Sequence, residues 1–214
     1  MNKEFEDRLI YIGISLSIEG NISKKIWVDI EQTLIEACYE VESDSRLLGL
    51  LFSWIGVHGK YLNADKLIKL YRLTSKFRGE SPWFYALCAF GVEKGILKLK
   101  KGIKKQKGQV FFRNEKSKTL FEMKGVIPYL EKIGIMIPEG SIRIRDKDVL
   151  PAEILLKKNK QFKNRLLFGA NWRADIITAI EWGMENPNRI SKELGCSYEP
   201  ANRIFREYML VKGC

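Results

Sequence analysis

The stretch "RISKELGCSYEPANRIFREYM", residues 189–209, contains two short helical patterns on either side of Gly195. Glycine accepts the left-handed backbone conformation that a tight turn between two helices requires. The sequence therefore predicts helices over 189–194 and 199–211 that are joined at this turn. An earlier helix over 173–184, with Asn171 as its cap and "NPN" as the following turn, would complete a three-helix unit.

The apolar residues of this stretch recur at helical spacing, so each helix would bury one stripe. A small residue is also expected where the two helices cross closely, and Ser191 and Cys196 are small. The predicted buried set is Ile190, Ser191, Leu194, Cys196, Ala201, Ile204 and Phe205, with Met209 or Leu210 closing the stripe.

The residues left facing outward on the second helix are polar. They are Ser197, Tyr198, Glu199, Asn202, Arg203 and Arg206. Ser197 suits a helix cap or a phosphate contact, Asn202 and Arg203 suit adenine and guanine edges, and Arg206 suits a backbone phosphate. The segment "ISKELGCSYEPANRI" resembles the helix-turn-helix of bacterial transcription regulators. That resemblance implies DNA binding, with the second helix in the major groove.

The positive charge lies almost entirely in the middle third of the chain. The net charge is −1 over residues 1–95, +13 over 96–173 and −1 over 174–214, within a total of +11. Concentrated lysine and arginine favour a polyanionic partner, because they neutralise phosphates and release counterions. The predicted phosphate contacts from this zone are Lys100, Lys101, Lys104, Lys105, Lys107 and Arg173. A solvated lysine-rich surface is the alternative interpretation of this zone.

The N-terminal part shows mainly helical patterns, predicted over 3–18, 24–42, 45–57, 64–77 and 82–95. Their predicted caps are Ser23, Ser43 or Asp44, Asn63 and Ser81. The third pattern is apolar almost all round and should be central. "ILKLKKGIKKQKGQVFFRN" then alternates and breaks at a Gly/Lys cluster, which predicts a basic β-hairpin over 96–113. One of the adjacent residues Phe111 and Phe112 should lie in the core.

Three helices followed by a basic hairpin give the order of a winged-helix unit, although a helical bundle followed by a hairpin fits equally well. Beyond it we predict an interrupted helix over 118–134, a short strand over 141–145 and a helix or basic linker over 150–168. The predicted fold class is thus mainly α with a small β component, with tandem helix-turn-helix-like units, the first of them winged, and the basic β-hairpin in the middle. The predicted segments are an N-terminal helical domain (1–125), a basic connecting region (126–170) and a C-terminal helix-turn-helix domain (171–214).

The sequence contains few signals for other chemistry. The four cysteines form no CxxC pair and accompany a single histidine, so free thiols and no metal site are expected. Phosphate-loop, dinucleotide-binding and GxSxG motifs are absent from the sequence, and no cofactor is expected. His58 is interpreted as a helix-end residue that contacts carbonyl groups. No apolar run is long enough to span a bilayer, and the charged N-terminus does not have the pattern of a signal peptide, so we expect a cytoplasmic protein.

The sequence therefore predicts a sequence-specific, non-enzymatic DNA-binding protein that acts as a transcription regulator, including autoregulation of the antitoxin type. Its expected partners are double-stranded DNA, a second copy in a homodimer and a protein bound by the N-terminal helices. Two alternatives stay open. One is a protein-interaction module with a structural helix-turn-helix, and the other is a metal-dependent nucleic-acid enzyme that uses Asp146, Asp148 and Glu153.

Overall fold

A computed structural model describes residues 2–16, 27–114 and 118–213. The chain is mainly helical with a very small sheet, which confirms the prediction of a mainly α fold with a small β component. The helices are α1 (Lys3–Tyr11), α2 (Ile30–Glu40), α3 (Arg46–His58), α4 (Ala64–Arg78), α5 (Pro82–Glu93), α6 (Lys118–Lys124), α7 (Pro128–Glu131), α8 (Ala152–Lys158), α9 (Lys160–Phe168), α10 (Trp172–Glu181), α11 (Pro187–Leu194) and α12 (Tyr198–Lys212). Short 3₁₀ turns lie at Gly59–Tyr61, Leu97–Gly102, Phe112–Asn114 and Asp146–Asp148. No helix in the described ranges is both long and apolar enough to cross a bilayer.

The large hydrophobic core is built around α3 and α5. Helix α3 buries Leu48, Leu51 and Phe52 completely, which confirms that the apolar helix is central. The Phe52 ring stacks on Phe90 of α5 with 4.3 Å between ring centroids. The indole of Trp54 donates a hydrogen bond of 2.8 Å to the Ile12 carbonyl and so ties the N-terminal segment to α3.

The first two helices are shorter than predicted. Helix α1 ends at Tyr11 because Gly13 has a φ of 96° and Ile14 then forms a bridge with Val149. Helix α2 begins only at Ile30, where the Asp29 carboxylate accepts a hydrogen bond from the Gln32 amide. The predicted cap at Ser23 lies outside the described residues.

The other predicted caps have mixed outcomes. Asn63 caps α4 by accepting from the Lys66 amide, and the Asp44 carboxylate accepts from the Arg46 amide at the start of α3. Ser81 occupies the N-cap position of α5, but its hydroxyl donates instead to the Cys38 carbonyl at 3.0 Å.

The predicted basic hairpin over 96–113 is wrong. Residues Leu97–Gly102 form a 3₁₀ turn whose Leu99 is fully buried against α5. Side chains three residues apart share a face in such a turn, so the spacing of Ile96, Leu99 and Gly102 outweighs the apparent alternation. The short strand β1 (Val110–Phe111) pairs in parallel with β2 (Ile135–Met136) instead of with the residues before it.

The segments after this turn agree with the sequence prediction in part. The interrupted helix over 118–134 is confirmed as α6 and α7, and the segment 150–168 forms two helices, α8 and α9. The strand over 141–145 is wrong, since this segment has no neighbouring strand in the described part of the chain. Phe112 is buried against Trp83, which confirms that one of the two adjacent phenylalanines lies in the core.

A second, smaller hydrophobic core belongs to α10, α11 and α12. The region 126–170, predicted as a connection, contributes Leu130, Ile135, Leu155 and Phe162 to the large core. The division of the chain into three segments that fold as units stays a prediction.

Candidate nucleic-acid interface

The three C-terminal helices are defined by local capping signals. The Asn171 side chain accepts hydrogen bonds from the Arg173 and Ala174 amides at the start of α10. Asn186 does the same for α11, with Pro187 at the first helical position. Helix α11 ends at Gly195, whose φ of 70° and ψ of 22° are left-handed. The predicted turn between two helices is therefore present.

The second core confirms most of the predicted buried stripe. Ile190, Leu194, Ala201 and Ile204 are buried with three isoleucines of α10, and Ser191 is 7% exposed. Cys196 and Phe205 are half-buried against the same core. The prediction that Met209 or Leu210 closes the stripe is wrong, because these side chains are 45% and 73% exposed.

The outward side of α12 begins with the predicted polar residues, here named the recognition face: Ser197, Tyr198, Asn202, Arg203 and Arg206. Asn202 is half-buried, and the other four residues are exposed. Within the described part of the chain, none of these side chains makes a hydrogen bond or ion pair. Ser197 occupies the N-cap position without a side-chain capping bond. These polar groups are therefore available to a ligand.

Arg173 differs from the recognition face because it has a partner. Its guanidinium lies 2.9 Å from the Glu207 carboxylate, which joins the start of α10 to α12. Both side chains are exposed, so the pair adds little stability. It does neutralise an acidic group on the outer side of α12, while Glu199 remains exposed in the first turn.

The five lysines that were predicted to contact phosphates are all exposed, but they do not lie on a β-hairpin wing. Lys100 and Lys101 lie in the 3₁₀ turn, and Lys104, Lys105 and Lys107 follow it in irregular backbone. The Lys104 ammonium lies 2.5 and 2.7 Å from the two Glu80 carboxylate oxygens, and this hydrogen bond raises the Lys104 pKa.

A basic surface that the sequence prediction missed lies on α4. Lys69, Arg72 and Lys76, named here the α4 basic row, lie at positions i, i+3 and i+7 and so share one face of the helix. With Lys101 they line a shallow cleft of about 420 Å³. The Arg72 guanidinium also reaches the Lys101 carbonyl at 3.4 Å. The spacing in "ADKLIKLYRLTSKF" was the available signal.

One end of the α4 basic row, Lys69, lies near the turn at Gly195. A Cβ added to Gly195 would lie 3.4 Å from Cδ2 of Leu70, the residue next to Lys69. Burial raises the pKa of the Cys196 thiol, and the nearby Lys69 and Lys66 ammonium groups oppose that rise. The positive charge of Lys69 therefore lies near the N-terminal end of α12.

Beneath this surface, five charged side chains form what we call the buried ionic junction: Asp29, Glu31, Lys66, Arg165 and Asp175. The Arg165 guanidinium donates two hydrogen bonds of 2.6 Å to the two Glu31 oxygens and one of 2.6 Å to Asp175. The Lys66 ammonium pairs with Asp29 and lies 3.5 and 3.6 Å from Glu31 and Asp175. The junction thus connects α2, α4, α9 and α10.

Neutral side chains satisfy the remaining atoms of the junction. Gln161 donates to Asp175 at 2.8 Å, and Asn63 donates to its other oxygen at 2.9 Å. Burial alone would raise the pKa of Asp175, but Arg165 and Lys66, helped by these hydrogen bonds, lower it to about 2. The same carboxylates raise the pKa of Arg165 against the opposing effect of burial. Four of the five charged side chains are fully buried and that of Asp29 is 10% exposed, so we assign the junction to the fold and not to a reaction.

The residues considered for catalysis are engaged elsewhere or dispersed. His58 is the last residue of α3, and its Nε2 lies 2.8 Å from the Leu150 carbonyl, as predicted for a helix-end residue. Burial lowers its pKa. Asp148 pairs with Arg145 at 2.7 Å, while Asp146 and Glu153 are exposed. In the described ranges, no group of three or more His, Cys, Asp or Glu side chains is placed to hold a metal ion.

Comparisons with known proteins give no relative for this chain. No protein-family model matches it, and no curated protein and no solved structure is significantly similar to it.

Proposed function

We propose that this protein binds double-stranded DNA sequence-specifically and regulates transcription, with α12 as the recognition helix. The observation that carries the proposal is the recognition face, a set of polar side chains that begins directly after the left-handed turn at Gly195. In a helix-turn-helix, the N-terminal residues of the second helix contact base edges in the major groove. Asn202 and Arg203 are the residue types that read adenine and guanine there.

The α4 basic row supplies the phosphate contacts in this proposal. Lys69 lies near Cys196 at the turn, and Arg72 and Lys76 continue the row along the exposed face of α4, where they would reach the DNA backbone that flanks an inserted α12. Lys101 lines the same cleft and extends the row. Phosphate contacts give affinity and orientation without reading sequence, so this arrangement divides the two tasks between α4 and α12.

A homodimer is part of the same proposal. Helix-turn-helix proteins bind two half-sites about 34 Å apart, and a two-fold dimer presents its two recognition helices at that spacing. Autoregulation of the antitoxin type, with a partner protein on the N-terminal helices, fits this arrangement.

The test is binding to a fluorescent random-sequence DNA duplex across a series of salt concentrations. We expect affinity to fall steeply with salt and the double variant Arg203→Ala/Arg206→Ala to bind about tenfold or more weakly than wild type. The matched control is Lys124→Ala/Lys132→Ala, which removes two exposed charges near α6 and α7. This control should bind DNA within about twofold of wild type.

Two results would contradict the proposal. Absence of binding at low salt would remove DNA as the partner. An equal loss in the control and in the arginine variant would mean that net charge, and not α12, determines binding.

The second candidate is a protein-interaction module, and exposed apolar residues on the last turns of α12 favour it. Met209, Leu210 and Val211 are 45%, 73% and 76% exposed. This candidate predicts no salt-dependent DNA affinity. It also predicts that Leu210→Lys disrupts an oligomer or complex in size-exclusion chromatography, whereas Arg203→Ala does not.

A further inference from the structure

A cavity lined by four arginines lies away from the recognition face. It has a volume of about 590 Å³ and opens to solvent. Its lining comes from the start of α3, from α1 and the segment after it, from the first two residues of the Phe112–Asn114 turn and from the segment 141–148. The arginines are Arg46, Arg113, Arg143 and Arg145. A cavity of this size accommodates a small molecule of nucleotide dimensions.

Two of the four guanidinium groups are already paired with carboxylates. Arg46 donates to Asp44 at 2.6 and 2.9 Å, and Arg145 donates to Asp148 at 2.9 Å. Arg113 instead donates to a neutral group, the Ser45 hydroxyl, at 2.8 Å. Arg143 has no side-chain hydrogen bond or ion pair within the described part of the chain. The third acidic residue of the lining, Glu6, is likewise without an ion pair there.

The backbone at Arg113 is unusual in the same place. Its φ of 56° and ψ of 27° make it the one non-glycine residue with positive φ in the described ranges. Such conformations cluster at ligand-binding positions, where the surrounding structure enforces them. At Arg113 the conformation directs the guanidinium to Ser45, at the start of α3.

The backbone of residues 143–145, in the lining of the cavity, packs closely against α3. A Cβ added to Gly49 would lie 2.5 Å from the Arg143 carbonyl oxygen, so only glycine allows this segment to approach the helix. The Ser53 hydroxyl accepts a hydrogen bond of 2.9 Å from the Arg145 amide and donates one to the Gly49 carbonyl. Arg143 is therefore positioned by backbone contacts and not by a carboxylate.

We propose that this arginine cavity binds a small molecule that carries phosphate groups, held by Arg113 and Arg143. Guanidinium groups match phosphate oxygens with paired hydrogen bonds, and the Ser45 and Ser141 hydroxyls in the lining can donate further ones. The carboxylates of Asp44 and Asp148 orient the other two arginines. The ligand would lie apart from α12, so this inference does not depend on the proposed DNA binding.

The test is isothermal titration of the full chain with pyrophosphate at physiological ionic strength. We expect saturable one-to-one binding that weakens about tenfold in Arg113→Gly and about tenfold in Arg143→Ala. Arg189→Ala removes an exposed arginine on α11 and should bind pyrophosphate as wild type does. Arg113→Gly should melt at or above the wild-type temperature, because glycine adopts positive φ freely.

The same variants separate a free phosphate compound from the phosphates of DNA. The double variant Arg113→Gly/Arg143→Ala should bind the random duplex as wild type does. A parallel loss of DNA affinity would make the cavity part of a nucleic-acid surface and overturn the inference. No saturable binding, an equal loss in Arg189→Ala, or equally tight binding of citrate would also overturn it.

Discussion

The buried ionic junction and the recognition face use the same kinds of side chain in opposite ways. In the junction, Arg165 and Lys66 are fully buried, and each has carboxylate partners within 4 Å. On the recognition face, Arg203 and Arg206 have no partner in the described part of the chain. The charged side chains of the junction form their hydrogen bonds within the protein and so stabilise the packing of helices. The charged side chains of the recognition face have free hydrogen-bond donors, which are available to a ligand.

The difference predicts where substitutions cost stability. Removing one member of a buried pair leaves an uncompensated charge, whereas removing an exposed charge leaves a solvated one.

Arg165→Met should have the largest effect. It leaves Glu31 and Asp175 buried without their guanidinium partner, and we expect the free energy of unfolding to fall by about 3–5 kcal/mol. Urea denaturation followed by circular dichroism measures it. Arg173→Ala, which breaks the exposed pair with Glu207, is the control and should cost less than about 1 kcal/mol.

If Arg165→Met and Arg173→Ala lower the free energy of unfolding by the same small amount, the junction does not stabilise the packing of the two hydrophobic cores. If Arg165→Met does not fold, Glu31→Gln provides the second measurement, since it removes a single charge while keeping the shape of the side chain.

The acid sensitivity of the junction should depend on Asp175. Its folded-state pKa of about 2 lies below the ordinary value of 3.8. Because this pKa is lowered on folding, the ionised Asp175 carboxylate stabilises the folded state at pH values above 3.8. This stabilisation is lost as the pH falls toward 2. The size of the pKa shift corresponds to about 2 kcal/mol in the free energy of unfolding. The pKa of Glu31 is raised by burial, so its titration lies above this window and has the opposite sign.

The measurement is the free energy of unfolding of wild type and Asp175→Asn across the window from pH 3.8 to about 2. Wild type should lose about 2 kcal/mol more than the variant. Carbon-13 NMR of the Asp175 carboxyl group in wild type gives an independent readout, and a midpoint near 3.8 would contradict the prediction.

A substitution at Gly195, in the turn between α11 and α12, should have a smaller effect on stability. Gly195→Ala forces a Cβ into the left-handed region and should cost about 1–2 kcal/mol. Gly56 lies within α3 with open space around an added Cβ, so Gly56→Ala should instead add about 0.5–1 kcal/mol. Thermal unfolding of both variants measures the difference, and equal changes would mean that the turn does not require glycine.

The sequence predicted those features that depend on neighbours along the chain. The cap at Asn171, the turn at Gly195 and the buried Ile190 and Leu194 are local patterns, and each is confirmed. The ionic junction was not predictable in this way, because Glu31 and Arg165 lie 134 residues apart. Helical periodicity describes one element at a time and does not identify which buried charges meet.

The lysine-rich segment after Gly95 shows a second reason why a prediction from sequence was wrong. The alternation after Gly95 indicated strands, but the packing of Leu99 on α5 selects a 3₁₀ turn with a period of three. In the absence of a hairpin, Lys69 of the α4 basic row lies near the start of α12. The helical spacing of the row is visible in the sequence, yet the closeness of Lys69 to the turn depends on the tertiary proximity of Leu70 and Gly195.

The α4 basic row gives the smallest expected effect on stability and the clearest contrast with the junction. Lys69→Ala/Arg72→Ala/Lys76→Ala removes three surface charges, so the free energy of unfolding should change by less than about 1 kcal/mol. The slope of log affinity against log salt concentration should become shallower by about 0.9 for each DNA phosphate that the variant no longer neutralises. Asn202→Ala should leave that slope unchanged and reduce discrimination between DNA sequences, because it removes the amide that we propose reads a base, and it removes no charge. If the triple variant keeps the wild-type slope, the α4 basic row lies outside the DNA surface. The phosphate contacts must then come from other basic residues, such as Lys105 and Lys107, which are exposed after the 3₁₀ turn.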